Sequence, residues 1–214
     1  MEDKVIVTID REFGSGGHEV AKRVAERLGI PFYDEEIIAR AAANTGYQEE
    51  YIRDNDEKAP ELSFNTMFSG FDNFQASPFA KIQEEEFNII REIAAEGSCV
   101  IVGRAADYIL SEERHVSIFL FAPFEDRVRR KLQIHNTAEP ENLFDVPTAE
   151  KAVRQIDKQR RRYYEFYTDN KWGGRDEYDL LINTSRAGVE GAVDIIEAYI
   201  KGGKDNDLMS DLQI

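Results

Sequence analysis

The segment Val5-Ile6-Val7-Thr8-Ile9-Asp10, running into Arg11-Glu12-Phe13-Gly14-Ser15-Gly16-Gly17-His18-Glu19, constrains the fold more than any other stretch of this chain. Val5, Ile6, Val7 and Ile9 form a β-branched apolar run, the pattern of a strand covered on both faces. Beyond the loop, Val20, Ala21, Val24, Ala25 and Leu28 recur at helical spacing, and Gly29 supplies a stop. Glycines between such a strand and helix permit positive φ and let a ligand approach the backbone. The successive N–H groups there, together with the helix N-terminus, make an anion site. A tight strand-to-helix turn without a ligand is the plainer alternative. Three glycines and a serine in four residues, directly after the first strand, favour phosphate.

The loop departs from the P-loop consensus G-x-x-x-x-G-K-[ST]. Arg11 stands at the first glycine, Gly16 at the second, Gly17 at the lysine and His18 at the hydroxyl residue. The lysine ordinarily reaches the β- and γ-phosphates, and the hydroxyl binds Mg²⁺. Arg11 is the candidate to supply the missing charge from within the loop. His18 reads first as a helix-start residue, because Mg²⁺ prefers oxygen ligands; a phosphate donor and a metal ligand are its other readings.

Bulk properties narrow the function classes. The 214 residues suffice for one domain with a substantial core and a small inserted lobe. A net charge of −15 disfavours nucleic acid and anionic membrane surfaces as partners. The single cysteine, Cys99, excludes an internal disulfide and suits a reducing, cytoplasmic setting. No apolar stretch is long enough to span a bilayer.

Strands and helices alternate along the chain. Ile30–Tyr33 reads as a second strand, with Asp34 placed to cap a helix over Glu35–Asn44. A short helix follows over Gln48–Asp54, and a longer one over Phe79–Glu96. Ser98–Val102, Val116–Phe121 and Leu180–Asn183 read as three further strands. Helices are expected near Ala105–Ser111, Phe124–Ile134, Thr148–Thr168 and Val189–Ile200. Five strands joined by helices imply a mostly parallel sheet, with ligands beyond the carboxyl ends of its strands. Residues 64–79, with Phe64, Phe68, Phe71 and Phe74, are too aromatic for a disordered linker; they suit a segment that covers a site or packs on a second copy of the chain. The tail 202–214 is acidic and expected to fray.

Two arginine groups stand out. Gly103-Arg104 follows the third strand, where a guanidinium can offer its fork to phosphate. Arg154, Asp157 and Arg161 are spaced i, i+3, i+7 and share a helical face, inside the basic run Arg154–Arg162. A solvated helix face with an Asp157–Arg161 pair is the ordinary reading of such a run. Following a phosphate-type loop, it also suits a lid that stabilises a transferring phosphoryl group.

These segments together resemble the nucleoside monophosphate kinases, and among them the cytidylate kinase-like proteins. The resemblance rests on Ile9–Gly16, Ala21–Gly29, Phe32–Asp34, Val102–Arg104, Phe119–Leu120 with Arg127–Arg130, and Arg154, Asp157 and Arg161. It implies an α/β P-loop fold: a three-layer sandwich with a five-stranded sheet, a lid over about 133–172 and a monophosphate-binding lobe over about 35–96, all in one domain, 1–201. It implies γ-phosphoryl transfer from ATP with Mg²⁺ to CMP, dCMP or a related phosphorylated acceptor. Under that resemblance, Gly14, Ser15, Gly16, Gly17 and His18 hold the donor phosphates, Asp34, Arg40 and Arg104 meet the acceptor, and Arg11, Arg154, Asp157 and Arg161 serve the transfer. Ala105 stands in place of the family's aspartate after Gly-Arg, and Glu35 in place of a serine. A non-catalytic phosphate-binding module and an interaction protein that dimerises through residues 64–79 are the competing readings.

Overall fold

The computed structural model describes residues 4–59 and 78–205. Among them, five strands form one sheet in the order β2-β3-β1-β4-β5, and every pairing is parallel. The strands are β1 Ile6–Arg11, β2 Phe32–Tyr33, β3 Cys99–Val102, β4 Val116–Phe121 and β5 Leu180–Asn183. β1 lies at the centre, with Ile9 opposite Val102 on one side and Ile118 on the other. Every residue of β1 is buried, Thr8, Asp10 and Arg11 included, as expected for the central strand of a sheet covered on both faces.

Helices α1 Gly17–Leu28, α2 Glu35–Thr45, α3 Glu49–Asn55, α4 Pro78–Glu96, α5 Ala106–Ile109, α6 Phe124–Ala138, α7 Val146–Thr168 and α8 Thr184–Asp205 complete the described elements. Side chains alternate across the sheet, so its strands feed two cores. Ile6 and Ile101 pack with Ile37, Ile52, Ile90 and Ile93 of α2, α3 and α4. Val7, Ile9 and Leu120 pack with Val20, Val24, Val193 and Ile196 of α1 and α8. The result is a three-layer α/β sandwich. A third cluster, built on Phe119, Tyr163, Tyr164, Trp172 and Tyr178, anchors α7 beside the carboxyl end of the sheet.

Several boundaries differ from the sequence expectation for identifiable reasons. α7 begins at Val146, because the Asp145 carboxylate accepts the Thr148 N–H at 2.9 Å and a proline occupies the first turn. α8 begins at Thr184, where the Asn183 side chain accepts the N–H groups of Ser185 and Arg186 and turns the chain at once; Gly188, at φ 70°, marks a kink within it. It continues through Gly202 to Asp205, beyond the tail boundary expected from composition. Asp34 precedes α2 but does not cap it with its side chain, which is engaged elsewhere. Nearly all of the aromatic segment 64–79, and with it the dimerisation reading, lies outside the described residues. No described helix is long and apolar enough to cross a membrane.

Candidate active site

The loop after β1 turns through two glycines with left-handed backbone, Gly14 at φ 84° and Gly16 at φ 86°. Gly16 is the N-cap of α1 and has no side chain to satisfy the first helical turn, so those N–H groups are left to a ligand. The loop is held from behind. Asp157 accepts the Phe13 N–H at 2.7 Å, and Arg127 donates to the Phe13 carbonyl at 3.1 Å and to the Asp157 carboxylate. Thr184 donates its hydroxyl to the Ser15 carbonyl at 2.7 Å. In front of the loop lies a cavity of about 260 Å³, walled by Arg11, the loop, Asp34, Arg130, Lys131, Ile134 and Arg160.

The lysine position is closed. A Cβ at Gly17 would lie 2.5 Å from Arg11 Cβ and 2.8 Å from its Cγ, so the Arg11 side chain occupies the space that a residue-17 side chain would enter. Arg11 does not turn toward the loop glycines. Its guanidinium runs behind them to Glu57, beneath Gly103, where an added Cβ would be 2.3 Å from Arg11 Nη1. Gly103, at φ 69°, is required there both by its backbone and by this close approach.

Glu57 is the hub of this inner half of the site. Its Oε1 accepts from Arg11 and from the Arg104 N–H at 3.3 Å; its Oε2 accepts from Arg160 Nε at 2.9 Å. Burial alone would raise the Glu57 carboxyl, but Arg11, Arg160 and Arg104 outweigh it and hold the group at about 2. Glu57 carries a positive φ of 50°, a strained conformation held by these contacts. Arg160 also donates to the Arg11 carbonyl at 3.2 Å, tying α7 to β1.

Arg104 is fully buried and spread over three acceptors: Asp34 at 3.0 Å, Asp56 at 2.7 Å and the Val102 carbonyl at 3.0 Å. Gly103, Arg104 and Ala105 all have left-handed φ, so the turn after β3 presents its N–H groups inward. Asp34 pairs in turn with His18 Nδ1 at 2.8 Å. Burial opposes its ionisation, while His18, Arg104 and Arg11 hold its carboxyl far below the usual range. The same bond raises the His18 imidazole against the effect of burial, and the ring packs edge-on to Phe32.

Arg154, Asp157 and Arg161 of α7 lie in three different surroundings. Arg154 lies 4.0 Å over the Phe124 ring, in a separate hollow with Val128 and Leu132. Arg161 lies 5.7 Å over Trp172, and Asp157 braces the loop backbone. Arg40 pairs with Glu36 at 2.9 Å and stacks on Tyr33, outside the cavity. Among the described residues, the cations that line the loop cavity with Arg11 are Arg160, Arg130 and Lys131, none of which the sequence reading assigned a role. Arg130 lies about 3.0 Å from the place of a Gly16 Cβ, and Lys131 Cγ 3.1 Å from that of a Gly14 Cβ. The readable signal was the basic run Arg127–Lys131 in the helix that leaves the strand beside β1.

The donor set fits a Mg²⁺ ion that arrives with a nucleotide. Asp10, at the end of β1, is consumed by Trp172 Nε1 at 2.7 Å, the Arg11 N–H at 2.7 Å and the Tyr178 hydroxyl. Ser15 Oγ is a buried oxygen without a partner beside the loop. No described group of three carboxylate, histidine or cysteine side chains is arranged to hold a metal. Mg²⁺ characteristically relies on phosphate oxygens and waters with few protein ligands.

Comparison with known proteins gives the family and the fold. Residues 6–186 match the cytidylate kinase-like family. The chain is 26% identical over 200 residues to the cytidylate kinase of Pyrococcus horikoshii, covering 93% of this chain and 90% of that one. It is 28% identical over 187 residues to the cytidylate kinase of Desulfurococcus amylolyticus, covering 87% and 88%. Among solved structures, an uncharacterized protein from Eubacterium ventriosum superposes with a TM-score of 0.69 at 32% identity, covering 94% of this chain and 99% of that one. The shikimate kinase of Bacteroides thetaiotaomicron superposes with a TM-score of 0.56 at 15% identity, covering 93% and 99%, a likeness of fold. Its phosphate-type loop, its parallel sheet and a match that spans most of its length place this chain in the cytidylate kinase-like family.

Proposed function

We propose that this chain transfers the γ-phosphoryl group of ATP to a nucleoside monophosphate, CMP or dCMP, or to a closely related phosphorylated acceptor. The observation that carries this reading is the loop Gly14–His18 opening onto a cavity walled by Arg11, Arg130, Lys131 and Arg160. Cytidylate kinases among the relatives supply the acceptor class.

The loop amides hold the donor phosphates, whose developing charge falls toward the surrounding cations. Mg²⁺ carried with ATP would neutralise further phosphate charge, bound chiefly through phosphate oxygens and waters. Arg160 sits between the loop and Glu57, where a transferring group would pass. Arg11 and the Arg104 N–H, which converge on Glu57, are the groups an acceptor phosphate would meet. An acceptor oxygen bonds to the γ-phosphorus as the bond to the β-phosphate bridge breaks, and ADP leaves with the electron pair. A phosphate acceptor needs no general base.

One observation favours a second reading, a phosphate-binding module without catalysis: Arg11 is turned away from the loop into Glu57. A steady-state assay of ATP with a panel of nucleoside monophosphates, read as acceptor diphosphate formed against ADP, separates the two. Equal amounts of both products, lost in Arg160→Ala, are expected. Tight ATP binding with no turnover on any acceptor would leave the binding module.

A further inference from the structure

Lys131 is out of keeping with the other cations of this site. Arg130 pairs with Glu19, Arg160 and Arg11 with Glu57, and Arg127 with Asp157 and Glu12. Lys131 has no carboxylate partner among the described residues. Its ammonium lies 4.4 Å over the Phe13 ring, and its stem crosses Gly14. Burial and the nearby Arg160 and Arg130 push it below the usual lysine range. A half-buried cation held beside two others, without a counter-charge, is stabilised by a bound anion. The loop beneath it is the anion site, and that loop lacks its own lysine because Arg11 fills the space at residue 17.

We propose that Lys131 of α6 supplies to the donor phosphates the positive charge that the loop does not carry. The assignment rests on the phosphate-donor reading of the loop. It places the ammonium on a helix that approaches from β4, above Gly14, instead of on the helix that begins the loop. Gly14 is then needed for contact as well as for backbone: a side chain there would meet Lys131 Cγ at 3.1 Å and the Arg127 carbonyl at 2.8 Å.

The test measures binding of Mg–ATP and of inorganic tripolyphosphate by calorimetry to the wild type, Lys131→Met and Lys131→Arg, alongside urea unfolding. Removing one charge-assisted contact should weaken both ligands roughly tenfold to a hundredfold in Lys131→Met. Lys131→Arg should retain most of the affinity. The urea midpoint of Lys131→Met should be unchanged or higher, since the folded protein loses a repulsion. Unchanged tripolyphosphate affinity in Lys131→Met, or equal losses in both variants, would overturn the assignment. Wild-type protein that binds ATP but phosphorylates no acceptor would overturn the kinase reading instead, and the binding series would still decide Lys131.

Discussion

The two halves of the site treat positive charge in opposite ways. On the loop side, Arg130 pairs with Glu19, but Lys131 lies over the Phe13 ring with no carboxylate partner among the described residues. On the inner side, Arg11, Arg104 and Arg160 are tied to Glu57, Asp34 and Asp56 at hydrogen-bond distances. An uncompensated cation is ready for a ligand, whereas a compensated one is ready to hold a shape. Under the proposed function, donor phosphates would meet an open cation at Lys131, while an acceptor phosphate would compete with Glu57 for Arg11, Arg160 and the Arg104 N–H. The protein's own carboxylate occupies the inner position in this structure.

The inner network is the place to break that comparison hardest. Arg104→Met leaves Asp34 and Asp56 facing each other with their shared cation gone, and should cost about 3–5 kcal/mol in urea unfolding. A loss below about 1 kcal/mol would mean that the network is not structural. Glu57→Gln should cost somewhat less, about 3 kcal/mol, because Asp10 and Asp34 still face Arg11. Its folded carboxyl is held near 2 against an ordinary 4.5, so its contribution is full above pH 4.5 and is lost as pH falls toward 2. The wild type should therefore lose its advantage over Glu57→Gln in that window. Inorganic phosphate should raise the melting temperature of Glu57→Gln more than that of wild type, because it replaces the missing anion. Equal shifts would separate Glu57 from the phosphate site.

The loop side gives a smaller effect. Gly17→Lys restores the consensus residue, but its Cβ meets Arg11 at 2.5 Å. We expect a loss of about 1–3 kcal/mol from overpacking and no gain in turnover. A faster enzyme would show that Arg11 yields easily and that the closed lysine position is incidental. The smallest effect concerns His18 at the rim, whose side chain is 60% exposed. His18→Ala should change stability by less than about 1 kcal/mol. Because Asp34 raises the imidazole, that contribution is present below an unfolded value near 6.5 and fades as pH rises through the folded one. A difference that grows with pH would remove the pair from the account.

The sheet was legible in the sequence because its signal is local: each strand is an apolar run between a helix end and a turn, and β1 reads as buried along its whole length. The glycine loop and Gly103-Arg104 were legible for the same reason, since the ends of parallel strands converge. The surroundings of α7 were not. Helical spacing tells which residues share a face, but the packing of Tyr163, Tyr164 and Trp172 decides how the helix is rolled. That roll brings Arg160 to Glu57, aims Asp157 at Phe13, and leaves Arg154 and Arg161 over aromatic rings. Glu57 and Lys131 were hidden for another reason. Each meets the loop across more than forty residues of chain, a relation that no short motif encodes.

The most direct test of the account is a crystal structure with Mg²⁺ and a non-hydrolysable ATP analogue. The β- and γ-phosphates are expected over Gly14 and Gly16, with the Lys131 ammonium and Arg160 within hydrogen-bond reach of them. A nucleotide bound elsewhere, or a loop whose amides turn away from the phosphates while Lys131 stays on Phe13, would contradict it.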